Sequence, residues 1–259
     1  MNEILTGIDG RGIATVTLNR PEIHNAFNDE VIAGLTSLFR DLGANPAVRV
    51  VVLRGAGKSF SAGGDLNWMR RMAGYSREEN YADAVGLATM LRTLNELPKP
   101  TIAVIHGHCF AGAVGLVAAC DIAIAADPVQ FALTEVRLGL IPATIGPYVV
   151  AAMGARACRR YFLTAERFGV AEAHRLGLVH EVVGLDGLDD AAERHIEQLL
   201  LGGPLALAAS KDLIRAVDRP LDDAVMADTA SRIADARSGD EGREGLSSFF
   251  DKRKPGWVK

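Results

Sequence analysis

HGHCFAGAVGLVAACD (residues 106–121) joins a predicted strand to a predicted helix. The strand covers 101–105, and a helix of small apolar residues follows the glycine-rich turn. Gly107, Gly112 and Gly115 have no side chain, so they let the backbone approach a ligand closely. Free N–H groups at the start of such a helix favour negative charge. A strand, a glycine turn and a helix in this order indicate an α/β fold.

A second strand-to-turn unit precedes this one. A predicted strand at 49–54 leads into KSFSAGGDL at 58–66. Either turn alone is common in α/β proteins and indicates little about function. Two backbone N–H donors, one from each turn, can point at a single carbonyl oxygen and form an oxyanion hole. The pair of turns therefore predicts a site that stabilises negative charge on oxygen.

The remaining apolar patterns continue the alternation of strands and helices. From about Thr144 the chain has the pattern of consecutive helices, and no Pro/Ser-rich linker separates them from the rest. We therefore expect the helical part to pack on the core. The other predicted elements are strands at 13–18, 121–126 and 130–134, a helix capped by Asn28 or Asp29, and helices at 78–97 and 112–120.

The bulk properties are those of a globular protein. A chain of 259 residues can bury a full core, and 49% hydrophobic and 23% charged residues are ordinary values. The net charge of −4 gives no general attraction to nucleic acid or to an anionic membrane. The first residues lack the apolar run of a signal peptide, and no stretch reaches the ~20 apolar residues of a membrane span. We predict a cytoplasmic protein that binds neither nucleic acid nor membrane.

The three cysteines indicate neither a metal site nor a disulfide framework. Cys109, Cys120 and Cys158 lie among small or apolar neighbours and lack metal-ligand spacing. Buried thiols in a reducing compartment are the simplest interpretation, and no metal is predicted. Because Cys109 lies within the glycine turn, a reactive role for its thiol is the alternative.

Several long stretches resemble the crotonase superfamily, the enoyl-CoA hydratase/isomerase group. The likeness covers nearly the whole chain and is specific in sequence. Besides the 106–121 turn, it is carried by TLNRPEIHNAF (17–27), FSAGGD (60–65), FALTEVRLGLIPATIGPYVV (131–150) and EGLSSFFDKRKPGW (244–257).

The resemblance implies an architecture, an assembly and a ligand. The fold class is α/β, with a crotonase-like spiral of ββα units over residues 1–195. A C-terminal helical region, 196–259, would pack on the core or on a neighbouring subunit and mediate trimer formation. Trimers of this family commonly pair into hexamers. The implied ligand is an acyl-CoA thioester, and CoA enters as part of the substrate, so no separate cofactor is expected.

Catalytic roles also follow from the resemblance. The family pattern F-x-A-G-x-D gives Ala62 as one oxyanion donor, and Gly112 of the second turn is the other. Glu135 takes the position of a catalytic glutamate. A partly buried carboxylate there has a raised pKa, which suits proton exchange near neutral pH. From the residues alone, a surface glutamate paired with Arg137 is the alternative.

The residues expected to bind the substrate lie in the two turns and near the C-terminus. Phe249 and Lys259 would reach the CoA of a neighbouring subunit. The turn residues are Ala62, Gly63, Gly64, Asp65, Leu66, Gly112 and Gly115. Candidates for the CoA phosphates are Arg20, Lys58 and the cluster Lys252, Arg253 and Lys254, for which a solvated tail is the alternative.

One position departs from the pattern of typical enoyl-CoA hydratases. They carry a second glutamate three residues after the oxyanion glycine, where this chain has Gly115. Glu135 must then perform both proton transfers through one water, or receive help from the substrate, His108 or Asp65. His106 and His108 flank a glycine at a strand end, where hydrogen-bonded structural histidines are common.

Glycine at that position also occurs in the bacterial methylglutaconyl-CoA hydratases of leucine breakdown and in related hydratases of isoprenoid glutaconyl-CoA esters. AGAVGLVAACDIAIAAD (111–127) and DLNWMRRM (65–72) resemble this branch. Its substrates carry a second carboxylate, which needs a cation or several donors in the pocket. Arg70 and Arg71 are candidates, although two exposed arginines on a helix are the alternative.

The resemblance therefore predicts a hydro-lyase that adds water across the 2,3-double bond of an acyl-CoA, with 3-methylglutaconyl-CoA as the expected substrate. An isomerase, a thioester hydrolase or a decarboxylase is the runner-up, because one fold hosts all of these activities. An isomerase needs only one base, which Gly115 permits. A CoA-binding paralogue without catalysis is a third reading, and a retained Glu135 argues against it.

Overall fold

Two β-sheets form the centre of the molecule in the computed structural model, which describes residues 3–258. The strands are β1 (Ile4–Ile8), β2 (Ile13–Leu18), β3 (Val50–Gly55), β4 (Ser59–Ser61), β5 (Thr101–Ile105), β6 (His108–Phe110), β7 (Ile122–Ala126), β8 (Gln130–Ala132), β9 (Phe168–Gly169) and β10 (Glu181–Val183). The α-helices are α1 (Asp29–Ala44), α2 (Leu66–Met72), α3 (Arg77–Asn95), α4 (Gly112–Ala119), α5 (Gly146–Thr164), α6 (Val170–Arg175), α7 (Leu188–Leu201), α8 (Pro204–Val217), α9 (Asp223–Ser238) and α10 (Asp240–Phe250).

The chain alternates between the two sheets. The larger sheet has the order β1-β2-β3-β5-β7-β10, and the smaller has the order β4-β6-β8-β9. Most neighbouring strands are parallel; β1 and β9 run antiparallel to their neighbours β2 and β8. Strands β3, β5 and β7 each continue into a strand of the smaller sheet, and helices then return the chain. These repeated strand–strand–helix units form a spiral and confirm the expected α/β fold of ββα units.

The predicted elements agree with the structure where the local pattern is strong. Asn28 caps α1, because its side-chain oxygen accepts the Val31 N–H at 2.9 Å. We expected only helices after Thr144, but this stretch also contains the strands β9 and β10. Strand β10 pairs in parallel with β7 and completes the larger sheet. Strand β1 was also missed by the sequence pattern, and most of its residues are exposed.

The C-terminal helices differ from the rest in how little they bury. The predicted boundary between residues 195 and 196 falls inside α7, where Ile196 belongs to the common hydrophobic core. The change in packing comes after α7 ends at Leu201. Helix α8 buries none of its residues, whereas α9 and α10 bury one each, Val225 and Ser248.

Two cations of the chain tie this region to the core at both ends. The ammonium of Lys211 in α8 contacts the Asp121 carboxylate at 2.8 Å. The guanidinium of Arg49 donates to the carbonyl oxygens of Gly202 at 2.9 Å and Trp257 at 3.2 Å. Both the start of the helical region and the C-terminal tail are therefore hydrogen-bonded to the core.

Two glycines of the 106–121 turn lack side chains where neighbouring protein atoms lie close. A Cβ at Gly107 would lie 2.1 Å from the carbonyl oxygen of Lys58, and a Cβ at Gly112 would lie 2.7 Å from Cζ of Phe27. Neighbouring protein atoms therefore require glycine at both positions, and the approach of a ligand to their backbone stays a prediction. They allow the β5–β6 turn and the start of α4 to approach neighbouring segments closely.

Asn25 holds the loop before α1 against the β3–β4 connection. Its side chain is buried, and its amide donates to the carbonyl oxygens of Ala56 at 2.7 Å and Ser59 at 2.8 Å. Its side-chain oxygen accepts the N–H of Arg20 at 2.9 Å. These bonds satisfy backbone groups that the surrounding structure excludes from water.

We expect Asn25→Ala to lower the free energy of unfolding by about 3 kcal/mol, because buried carbonyl groups lose their donor. Denaturant unfolding at constant pH measures the change. Asn80→Ala is the matched control, since the Asn80 amide also donates to two carbonyl oxygens but does so in an exposed position. Equal losses for the two variants would contradict the role assigned to Asn25.

Candidate active site

Three turns meet at one edge of the smaller sheet. Strand β4 pairs in parallel with β6, and β6 pairs in parallel with β8. The segments that follow these strands are 62–65, 111–112 and 133–135. The carboxyl ends of neighbouring parallel strands lie at the same edge of a sheet, where α/β proteins commonly bind ligands. The two glycine turns and Glu135 are thereby brought to the same edge.

The first two turns touch each other directly. Gly63 adopts a φ of +88°, and a Cβ built there would lie 2.9 Å from the Phe110 carbonyl oxygen and 3.4 Å from the Gly112 nitrogen. The N–H of Ala111 donates to the Ala132 carbonyl oxygen at 2.8 Å, which links the second turn to the third segment. The expected juxtaposition of the two turns is present in the structure.

The structure does not leave the Ala62 N–H free. This group donates to the carbonyl oxygen of His24 at 2.9 Å, so it belongs to the fold of the turn. Our assignment of Ala62 as an oxyanion donor is therefore replaced, because an N–H already bonded to a carbonyl cannot also bond a substrate oxygen well.

Gly64 offers the available donor in this turn. It forms a parallel bridge with Phe27. The Phe27 N–H donates to the Gly63 carbonyl oxygen at 2.8 Å, and the Phe27 carbonyl oxygen accepts the Asp65 N–H at 3.0 Å. This pattern uses the groups on either side of Gly64 and leaves its own N–H without an acceptor among residues 3–258. The motif identified this turn correctly, but the available N–H belongs to Gly64 and not to Ala62.

Gly112 offers a second available donor. It is the first residue of α4, and its N–H has no acceptor in the described part of the chain. The first N–H groups of a helix lack partners within the helix, and the helix dipole adds positive potential there. Ala111 precedes it with a φ of +49° and a ψ of −124°, a backbone conformation that residues other than glycine rarely adopt.

Glu135 presents a carboxylate with one unpartnered oxygen. It begins a short 3-10 turn (Glu135–Leu138), and its Oε2 atom is buried with no hydrogen bond among the described residues. It forms no ion pair with Arg137, which excludes the surface-pair alternative within residues 3–258. Burial raises the pKa of Glu135, and a hydrogen bond to its own N–H offsets only part of this effect. An upward shift brings the pKa of a carboxyl group closer to the range that suits proton exchange near neutral pH.

Asp65 has a structural role that makes it a poor proton donor. Its side chain accepts the N–H groups of Asn67 at 2.7 Å and Trp68 at 3.1 Å, and it pairs with Arg20 at 3.0 Å. Burial alone would raise the pKa of Asp65, but these two N–H groups and the Arg20 charge outweigh burial and lower it. Asp65 therefore caps α2 as a carboxylate.

The histidines and the cysteine of the second turn are also accounted for by local contacts. His106 contacts the Gly57 carbonyl oxygen through Nε2 at 2.9 Å, and the exposed ring of His108 stacks on Phe110 at 5.2 Å. Cys109 is buried, and burial raises the pKa of its thiol well above the ordinary value. A thiol held in this way is unreactive, because the thiolate is the nucleophile.

The candidate cations divide into paired and unpaired groups. Arg20 pairs with Glu3 as well as Asp65, and Arg71 pairs with Asp29 at 2.6 Å. Arg70 is exposed, and within the described part of the chain its guanidinium bonds only the side chain of Asn67. Arg253 pairs with Glu244, whereas Lys58, Lys252 and Lys254 are exposed and have no ion pair in the described residues.

The remaining predicted contact residues are either fully buried or widely exposed. Gly115 is buried, whereas Leu66 is 70% exposed and Phe249 is 73% exposed. Lys259 lies outside the described residues. Roles for these residues in binding CoA stay predictions.

Two unengaged N–H groups and a buried carboxylate, at the edge of a ββα spiral, define an enzyme of the crotonase class. The sequence profile described as enoyl-CoA hydratase/isomerase matches residues 9–259. The chain therefore belongs to the enoyl-CoA hydratase/isomerase family, and it is an enzyme of the lyase class.

Relatives resemble it over nearly their whole length. A crystal structure of an enoyl-CoA hydratase from Shewanella pealeana has 43% identity and a TM-score of 0.96, covering 99% of this chain and 96% of that one. The enoyl-CoA hydratase from Mycobacterium smegmatis has 33% identity and a TM-score of 0.94, with full coverage of both chains. The hydroxycinnamoyl-CoA hydratase-lyase of Pseudomonas fluorescens is 33% identical over 256 residues, 95% of this chain and 92% of its own.

Within residues 3–258, none of the helices is both long and apolar enough to cross a membrane. The same residues contain no group of three or more His, Cys, Asp or Glu side chains placed to hold a metal ion.

We expect Glu135→Gln to raise the melting temperature at pH 7 to 8. The folded state raises the pKa of Glu135, so the native protein binds the proton more tightly than the unfolded chain does. Tighter proton binding by the native protein adds to its stability. This gain is complete below the ordinary glutamate pKa of about 4.3, and it is lost as pH rises through the pKa of Glu135 in the folded protein. The advantage of glutamine should therefore disappear as the pH approaches about 4.

Melting curves from pH 4 to pH 8 measure this difference. Glu197→Gln is the matched control, because it makes the same substitution at an exposed glutamate. A pH-independent difference between wild type and Glu135→Gln would contradict the burial of an ionisable carboxyl group at this position.

Proposed function

We propose that this enzyme adds water across the 2,3-double bond of an acyl-CoA thioester. The observation that carries the proposal is the placement of two unengaged N–H groups, those of Gly64 and Gly112, and the unpartnered Oε2 of Glu135 at one sheet edge. Donors preset for an oxygen that gains charge stabilise the transition state more than the ground state.

In the first step, Glu135 accepts a proton from water as the water oxygen bonds to C3 of the acyl chain. The electron pair of the double bond shifts, and negative charge develops on the thioester oxygen as an enolate. The N–H groups of Gly64 and Gly112 donate to that oxygen, and the dipole of α4 adds to the stabilisation.

In the second step, the proton held by Glu135 passes to C2 and the carbonyl double bond reforms. One water is consumed, and the carboxylate returns to its starting state. A single group thus acts first as base and then as acid, which requires a pKa near the working pH. Burial of Glu135 shifts its pKa in that direction.

The acyl group we propose is 3-methylglutaconyl, whose hydration belongs to leucine degradation. Gly115 stands where typical hydratases have a second glutamate, as in the branch that acts on this ester. The exposed Arg70, which forms no ion pair within residues 3–258, supplies a guanidinium for the second carboxylate of the substrate. Arg71 is less suited, because Asp29 already neutralises it.

The second candidate reaction is isomerisation of an enoyl-CoA double bond. One base suffices for it, since a proton leaves one carbon and returns to another. Among residues 3–258, Oε2 of Glu135 is the only buried carboxyl oxygen without a hydrogen bond. Thioester hydrolysis, decarboxylation and binding without catalysis are the remaining alternatives, and the experiments below separate them from hydration.

We also propose a homotrimer, with pairing of trimers into a hexamer, in the cytoplasm. Support comes from the large apolar side chains that α8–α10 and their connections leave exposed, since such surfaces commonly mark interfaces. Phe249, by the resemblance, would reach the CoA of the next subunit. The exposed apolar residues are Leu205, Ile214, Val217, Leu221, Met226, Ile233, Leu246, Phe249 and Phe250.

We expect the wild-type enzyme to hydrate 3-methylglutaconyl-CoA in preference to crotonyl-CoA. Loss of absorbance at the enoyl-thioester band measures both reactions. Glu135→Gln should lower kcat by roughly 100- to 10,000-fold, because the amide cannot accept or return the proton. Absence of hydration of either ester by wild type would sink the proposal. Double-bond migration or release of free CoA would then identify isomerase or hydrolase activity.

The assignment of Gly64 has its own test. Gly64→Pro removes the N–H and should lower kcat by roughly 100- to 1,000-fold. Gly64→Ala is the matched control, because it keeps the N–H and its Cβ meets only ordinary contacts, at 3.6 Å from Met69 and Trp68. Circular dichroism and melting temperature establish that both variants fold. If the folded proline variant matches the alanine variant in kcat, Gly64 is not the donor.

A further inference from the structure

Gly115 faces a side chain that leaves no room for any other. A Cβ built at position 115 would lie 2.2 Å from Cγ2 of Ile145, 2.7 Å from its Cβ and 3.5 Å from its Cα. Both residues are buried, and Ile145 is only 1% exposed. A side chain of any kind at 115 therefore collides with Ile145 unless the isoleucine is displaced or replaced.

This contact lies beside the proposed catalytic groups. Gly115 is three residues after Gly112, so the two lie one turn apart on the same face of α4. Ile145 immediately precedes α5, and α5 packs both on α4 and on the 3-10 turn that begins at Glu135. Ile145 thus connects the helix that begins at the oxyanion turn with the segment that follows the carboxylate.

We propose that Ile145 is a specificity-determining residue that restricts this site to one carboxylate. Its side chain fills the space into which residue 115 would project, so hydrocarbon occupies the place of a second proton-transferring group. The inference rests on the proposed role of Glu135. A water molecule bound to Glu135 then has one protein carboxylate as acceptor, and a carboxylate of the substrate can supply the second acceptor. The site accordingly favours an enoyl ester that carries its own carboxylate over a plain hydrocarbon chain.

The space-filling claim is tested by stability alone. Gly115→Ala is introduced into wild type, into Ile145→Ala and into Ile145→Gly. Its Cβ meets a γ-methyl at 2.2 Å in the first background, the retained Cβ at 2.7 Å in the second and only the Cα at 3.5 Å in the third. We expect the loss of melting temperature caused by Gly115→Ala to be largest in wild type, smaller with alanine at 145 and absent with glycine. An equal loss in all three backgrounds would overturn the claim.

The specificity claim is tested by substrate selectivity. Gly115→Glu, Ile145→Gly and the double variant are compared on crotonyl-CoA and 3-methylglutaconyl-CoA. The double variant should raise the ratio of kcat/KM for crotonyl-CoA to that for 3-methylglutaconyl-CoA by about tenfold or more, a gain within the range of a positioned acid–base group. Neither single variant should do so. A second ionisation should also enter the pH profile of the double variant.

A matched control separates proton transfer from altered packing. Gly115→Gln with Ile145→Gly places the same bulk at the site but no ionisable group, so its ratio should stay near that of Ile145→Gly alone. An unchanged ratio in the glutamate double variant, or an equal change in the glutamine variant, would overturn the specificity claim. If the wild-type enzyme turns over neither ester, the proposed function fails. The melting temperatures of the Gly115→Ala series then still test the space-filling claim.

Discussion

The candidate site depends on the parallel pairing of β4, β6 and β8, the three strands whose carboxyl ends face one edge. Each strand is three residues long, so the sheet contributes little apolar area of its own. Its effect is geometric: backbone hydrogen bonds hold three distant segments side by side. The first N–H groups beyond β4 and β6, those of Ala62 and Ala111, are still bonded to carbonyl oxygens. The N–H groups of Gly64 and Gly112, further along the two turns, are the ones left available. The larger sheet and its helices make this arrangement rigid by burying the preceding strands.

The fold could be predicted well where the information is local. The cap of α1 by Asn28 and the apolar run of β5 are determined by neighbouring residues, and the structure confirms both. Strand β10 could not be predicted in this way, because three half-buried residues become a strand only by pairing with the distant β7. Strand β1 has the same origin, since its exposed residues are ordered by β2.

The site was predictable in outline and not in detail. Motif stretches identified both turns and Glu135, whose burial the structure shows. They did not identify which N–H is free, because backbone direction depends on tertiary partners and not on residue type; the bond from Ala62 to His24 settles it. The missing second glutamate was visible in the sequence as Gly115. The role of Ile145 in filling the space beside Gly115 could not be predicted from the sequence, because the two residues come into contact only in the folded chain.

The ties of Lys211 and Arg49 have a consequence for how copies of this protein can meet. Salt weakens exposed ion pairs far more than half-buried ones. The Lys211 side chain is only 14% exposed, and the carbonyl partners of Arg49 carry no net charge to be screened. Helices α8–α10 are therefore held against the core near both ends of the region. The orientation of their apolar side chains is therefore set within a single subunit, before it contacts another copy. We expect this orientation to change little with ionic strength.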